Sequence, residues 1–115
     1  MSEAVYTGED IEVVIDLVDS NFADLTDVIV GVVVNKVLVK TCKKSSSAAN
    51  QVIAHPTNPT MCKIRLFRSE TQTWAPGMLS MEVTKKATDS GFPQGKHTVY
   101  KDNIVLFQNA YTKNA

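Results

Sequence analysis

Apolar residues in this chain recur at alternate positions, segment after segment, and no segment sustains the 3.6-residue period of a helix. Between Glu9 and Val18, residues Ile11, Val13, Ile15 and Leu17 share one face while Glu12 and Asp16 occupy the other, which predicts a half-buried strand. Val28-Ile29-Val30-Gly31-Val32-Val33-Val34 is apolar throughout and rich in β-branched residues, as expected of a central strand covered on both faces. Asn35-Lys36 suits a tight turn into a returning strand, Val37 to Cys42. Gln51 to Ala54 reads as a short strand. Met61 to Phe67 alternates with Lys63 and Arg65 outward. Met78 to Thr84 alternates with Leu79, Met81 and Val83 inward. Lys96 to Lys101 and Asn103 to Phe107 supply the last two strands.

The connectors are polar or carry turn-forming residues. Asp19-Ser20-Asn21 forms a turn, and Phe22 is expected to tuck under the sandwich edge. Lys43 to Asn50 is a low-complexity loop, and His55 to Pro59 is irregular because each proline removes a ladder donor. Arg68 to Gly77 is a connector with room for one helical turn, ended by Pro76-Gly77. Lys85 to Gln94 is read as a polar hairpin loop, and Tyr111 to Ala115 as a polar tail. Seven or eight short strands predict an all-β chain, an immunoglobulin-like antiparallel β-sandwich, with a small barrel as the alternative. The 115 residues suit a single domain, with its core between about residues 6 and 108.

Charge narrows the function classes. Twelve basic and twelve acidic residues cancel, so the basic excess expected of a nucleic-acid binder is absent. Zero net charge also weakens repulsion between copies, which favours self-association. No apolar run follows Met1, and the longest one, Val28 to Val34, is far shorter than a membrane span. The expectation is cytoplasmic synthesis without a signal peptide and without a membrane partner. Cys42 shares its parity with Lys36, Leu38 and Lys40 and is expected to face mostly outward, whereas Cys62 lies with Ile64 and Leu66 and is expected inward. That mismatch argues against a disulfide.

Candidate chemistry is sparse. His55 and His97 are the only histidines, and no Cys or His pair has metal-ligand spacing, so no metal or cofactor is expected. Ser45, Ser46 and Ser47 sit in a loop with no nucleophile elbow around them. Asp10, Glu12, Asp16 and Asp24 cluster in sequence, but Glu12 and Asp16 read as a solvated strand face rather than a catalytic pair. No catalytic set converges, and the expectation is a chain that is not an enzyme. Trp74, Phe92, Tyr100 and Tyr111 could form an aromatic binding surface. Trp74 reads more readily as a plug over one open end of the core, and Phe92, in a polar loop, as the exposed aromatic. Val37, Leu38 and Val39 are apolar, border a mobile loop and would offer a pairing edge if the strand lies at the rim of a sheet. The interface candidates are therefore Trp74, Phe92, Val37, Leu38 and Val39.

Several segments, taken in order, resemble the N-terminal immunoglobulin-like domain of bacteriophage baseplate upper proteins and related phage tail-fibre adaptors. The resemblance rests on Gly8-Glu9-Asp10 before the strand Ile11 to Leu17, and on Asp24-Leu25-Thr26 before Val28. It continues through Ser69-Glu70-Thr71 and Pro76-Gly77 before Met78 to Thr84, covering about residues 6 to 108. It implies a non-enzymatic virion protein of the tail, baseplate or neck, or a capsid decoration subunit, with other virion proteins as partners and a possible homo-oligomer. Read on their residues alone, the aromatic positions allow a second class, a carbohydrate- or cell-surface-binding module stacking sugars on Trp74, Phe92 and Tyr100.

Overall fold

The computed structural model describes residues 5–108 and 110, without the side chains of 48 and 102–106. The expected tail, Tyr111 included, lies outside the described residues. Eight strands run in order: β1 (Val5–Tyr6), β2 (Ile11–Asp16), β3 (Asp27–Val34), β4 (Val37–Lys43), β5 (Ile53–Ala54), β6 (Met61–Leu66), β7 (Gly77–Asp89) and β8 (Phe92–Gln108). A single helical turn, α1 (Arg68–Thr71), precedes β7, and short 3-10 turns occupy Phe22–Asp24 and Ala48–Asn50. The strands form a five-stranded sheet, β1-β8-β7-β3-β4, and a three-stranded sheet, β2-β6-β5. The chain is an all-β sandwich. Among the described strands β1 pairs with β8 in parallel, which departs from a wholly antiparallel arrangement.

The core forms where the inward sets of the two sheets meet. Val28, Val30, Val32 and Val34 of β3, with Leu79, Met81 and Val83 of β7, face Ile15, Leu17, Ile64 and Leu66 from the small sheet. Trp74 closes the core against Phe107, with ring centroids 6.2 Å apart and planes tilted by 55°. Leu25 anchors the β2–β3 connection as a buried side chain, and Thr26 Oγ1 donates to the Lys86 carbonyl at 3.0 Å. Phe22 is half-buried and packs against the same core.

Three readings from periodicity are corrected. Cys42 is fully buried, as is Cys62. The cause is a β-bulge in β4: Val33 pairs with Leu38 but Val32 pairs with Lys40, leaving Val39 over. One extra residue reverses the parity beyond it, so Leu38 points out while Lys40 and Cys42 point in. Lys85 to Gln94 belongs to the β7–β8 ladder, with a register shift between Ala87 and Asp89, and is closed by a two-residue turn, Ser90-Gly91, rather than a loop. The two expected final strands are one, β8, with a register shift opposite Leu79 and Met81.

Three lysines from the large sheet clamp the sandwich shut. Lys40 Nζ donates to the Arg65 carbonyl at 3.0 Å and to Glu70 Oε1 at 2.5 Å. Lys44, just beyond β4, donates to the carbonyls of Phe22 and Leu25, both at 2.8 Å. Lys85 of β7 donates to the carbonyls of Leu17 and Val18 and to Ser20 Oγ, at 2.7 to 3.1 Å. Each ammonium also lies over an aromatic ring, Phe67, Phe22 or Tyr100, at 5.0, 4.6 and 5.5 Å from the centroid. The long aliphatic stems cross apolar ground while oxygen atoms satisfy the heads, so burial costs each charge little.

Two segments that carry the resemblance meet in space. The Thr71 hydroxyl accepts from the Gly8 N–H at 3.0 Å and donates to the Glu9 carbonyl at 2.9 Å. Asp10 Oδ1 accepts from the Arg68 N–H at 2.7 Å, which satisfies an orphan donor at the start of α1. Glu70 Oε1 accepts from the Phe67 N–H at 3.2 Å.

Candidate interaction surface

The small sheet covers one face of the large sheet and, among the described residues, the other is left open. Register places Ile29, Gly31 and Val33 of β3 on this outer face. Leu38, Thr41 and Lys43 of β4 join them from one side, and Met78, Ser80, Glu82, Thr84 and Lys86 of β7 from the other. His97, Val99 and Lys101 of β8 complete it. Its apolar members are unusually open: Leu38 is 60% exposed, Val99 57% and Met78 51%. Ile29 and Val33 are half-buried beside them. A shallow groove of about 610 Å³ lies here, lined among others by Val33, Leu38, Met78, Glu82 and Lys101.

Gly31 shapes this face. A Cβ at position 31 would lie 3.0 Å from Leu38 Cδ1, so the absent side chain lets Leu38 lie down across β3. The β3–β4 turn holds the near end. Asn35 and Lys36 have φ of 52° and 67°, the two left-handed residues of a type I′ hairpin turn. The Asn35 amide then ties this turn to β7, donating to the Pro76 carbonyl at 2.9 Å and accepting from the Met78 N–H at 3.1 Å.

β4 is the last strand of the large sheet, as the expectation for Val37 to Val39 required. Val37 is 60% exposed, while Val39, the bulged residue, is half-buried. Among the described residues the backbone on the far side of β4 is met only near its end, where Gln51–Val52 bonds Lys43. Phe92 is 52% exposed at the tip of the β7–β8 hairpin. β3 pairs with β7 only as far as Lys86, so beyond it the hairpin is a free two-stranded ribbon. Trp74 is only 9% exposed and is a core residue, which removes it from the contact candidates. Tyr100 is half-buried and its hydroxyl donates to the Asp16 carbonyl at 2.5 Å. Trp74, Phe92 and Tyr100 therefore share no common platform.

His55 Nδ1 accepts from the N–H groups of Thr57 and Asn58 and shapes its own loop. Among the described residues no three His, Cys, Asp or Glu side chains group as a metal site. Glu12 pairs with Lys63 and Arg65, and the Lys63 hydrogen bond leads in holding its carboxyl below the ordinary range. Burial pushes the Cys42 thiol up, which leaves it protonated and unreactive at neutral pH. No helix among the described residues is long and apolar enough to cross a membrane.

Sequence reasoning missed two features of this surface. Val99 and Met78 lie in strands whose inward alternation drew attention away from their outward members. The charges are also segregated: eight of the twelve carboxylates precede residue 36, and no lysine or arginine does. The net charge of zero conceals that asymmetry. Comparisons with protein-family models, curated proteins and solved structures give no match to this chain.

Proposed function

We propose that this chain is a non-catalytic assembly module, a bacteriophage virion structural protein that acts by protein–protein contacts from the open face of its large sheet. The observation that carries the reading is the grouping of Leu38, Met78 and Val99, each more than half exposed, on one continuous sheet face. An apolar patch with a polar and charged rim is what an interface requires. The virion setting comes from the residue order that resembles baseplate and tail-adaptor domains. The site within the particle would be tail, baseplate, neck or capsid surface. A sugar-stacking reading is left with Phe92 as its only well-exposed aromatic platform of the three named for it.

Gradient-purified particles of the phage that encodes the chain provide the test. The expected result is the chain at a fixed ratio to the major capsid protein, and its loss from particles carrying Leu38→Lys with Val99→Lys. Particles that lack the wild-type chain would overturn the reading.

A further inference from the structure

We propose that copies of this chain associate head to tail, the open face of the large sheet on one copy receiving the β2 side of the small sheet on the next. The inference rests on the assembly role proposed above and names the partner as a second copy. Charge complementarity selects that partner. The open face carries Lys43, Lys86, His97 and Lys101 around its apolar centre. Its two carboxylates are engaged or opposed locally: Asp27 accepts from Ser45, and Glu82 stands opposite Lys101.

β2 and its flanks carry the opposite sign, beside Lys63 and Arg65 of β6, whose charges pair with Glu12. Glu9, Asp10, Asp16 and Asp19 lie on β2 and its immediate flanks and are all exposed. Among the described residues none of the four forms an ion pair, though Glu9, Asp10 and Asp16 each accept from a backbone N–H, of Tyr6, Arg68 and Val18. Val14 and Val18, 42% and 51% exposed, add apolar surface between and beside them. The two surfaces belong to different sheets of one sandwich, so satisfying both needs two neighbours. Pairing β4 edges about a two-fold axis would instead bring Lys36 and Lys43 of two copies together with no carboxylate on the strand to offset them. A heterologous contact of this kind closes into a ring or continues as a filament.

Sedimentation of the full chain across concentration, at low and high salt, tests the contact. Wild type is expected to form species larger than a dimer at low salt. It should dissociate as ionic strength rises from about 0.05 to about 0.5 M, which shortens the Debye length roughly threefold. Lys43→Glu with Lys101→Glu reverses one surface, and Glu9→Lys with Asp19→Lys reverses the other. Each double variant should associate at least tenfold more weakly than wild type. An equimolar mixture should recover association, because it holds one native copy of each surface. Circular dichroism of each variant separates lost contact from lost fold. A wild type of 12.6 kDa at every concentration overturns the inference. So does association that salt strengthens, or a mixture of folded variants that stays monomeric while wild type assembles. A monomer found in virions would end the head-to-tail contact and leave the assembly role standing. Absence from virions would end that role.

Discussion

Val18 and Asp19 carry φ of 44° and 58°, and a β-branched side chain at the first position is unfavourable there. The strain is held by local bonds: Asp16 Oδ1 accepts from the Val18 N–H at 2.9 Å, and Lys85 grips the Leu17 and Val18 carbonyls. Val18 is half exposed, so little burial is lost with its side chain. Val18→Gly is expected to raise stability by about 1 kcal/mol, measured by urea denaturation. Gly77 is the opposite case. Its φ is 155°, and a Cβ there would fall 1.9 Å from Asn35 Oδ1, inside the amide that joins the β3–β4 turn to β7. Gly77→Ala should lower stability by about 2 kcal/mol in the same assay.

Lys40 shows how much one buried charge organises. Removing it leaves the Arg65 carbonyl and Glu70 without their ammonium partner. The Glu70 side chain is 31% exposed, which lets water recover part of the loss. Lys40→Ala should therefore cost about 2 kcal/mol, below the range for a wholly buried pair, and Lys40→Met, which keeps the stem, should cost less. Cys42 gives a pH prediction of definite sign. Its folded pKa is raised by burial, so the folded state keeps a proton that the unfolded chain releases. Stability should be flat below the ordinary thiol range and fall as pH rises beyond it. Cys42 should also resist a thiol reagent until the protein unfolds.

Strands were legible wherever one face is wet and the other dry. β2, β6 and the first half of β7 each alternate, and the buried sets found there match the inward readings. Legibility failed for two physical reasons. A bulge adds a residue without leaving a mark in composition, so the parity of Lys40 and Cys42 inverted unseen at Val39. Beyond Ala87, which still touches the core, the β7–β8 ribbon is not paired with β3, so mostly polar residues occupy both faces and no alternation survives to read. Of the interface candidates, the exposure of Phe92, Val37 and Leu38 followed from loop or edge position. The openness of Met78 and Val99 depended on which sheet face the small sheet leaves uncovered, a tertiary fact. Since β3 does not reach the ribbon, replacing residues 88–95 by Asn-Gly should keep the fold, with Tm changed by no more than about 3 °C.

At the scale of the molecule, the unequal sheets decide where function can reside. Three strands cannot cover five, and the uncovered apolar positions share a face with Lys43, Lys86 and Lys101. The longest dimension, 52 Å against 28 Å in each of the others, is consistent with a ribbon carried beyond the core. Eight carboxylates fall in the first 35 residues, and those on and beside β2 give that strand an acidic character, although Lys63 and Arg65 stand next to it on β6 and pair with Glu12. Oxidative footprinting tests the working face most directly, because Met78 is 51% exposed on it while Met81, three residues on, is 1% exposed. In the free chain at low concentration Met78 should oxidise readily and Met81 hardly at all. In assembled particles Met78 should become protected. Equal oxidation of Met78 in both states would contradict the placement of the contact surface on the open face.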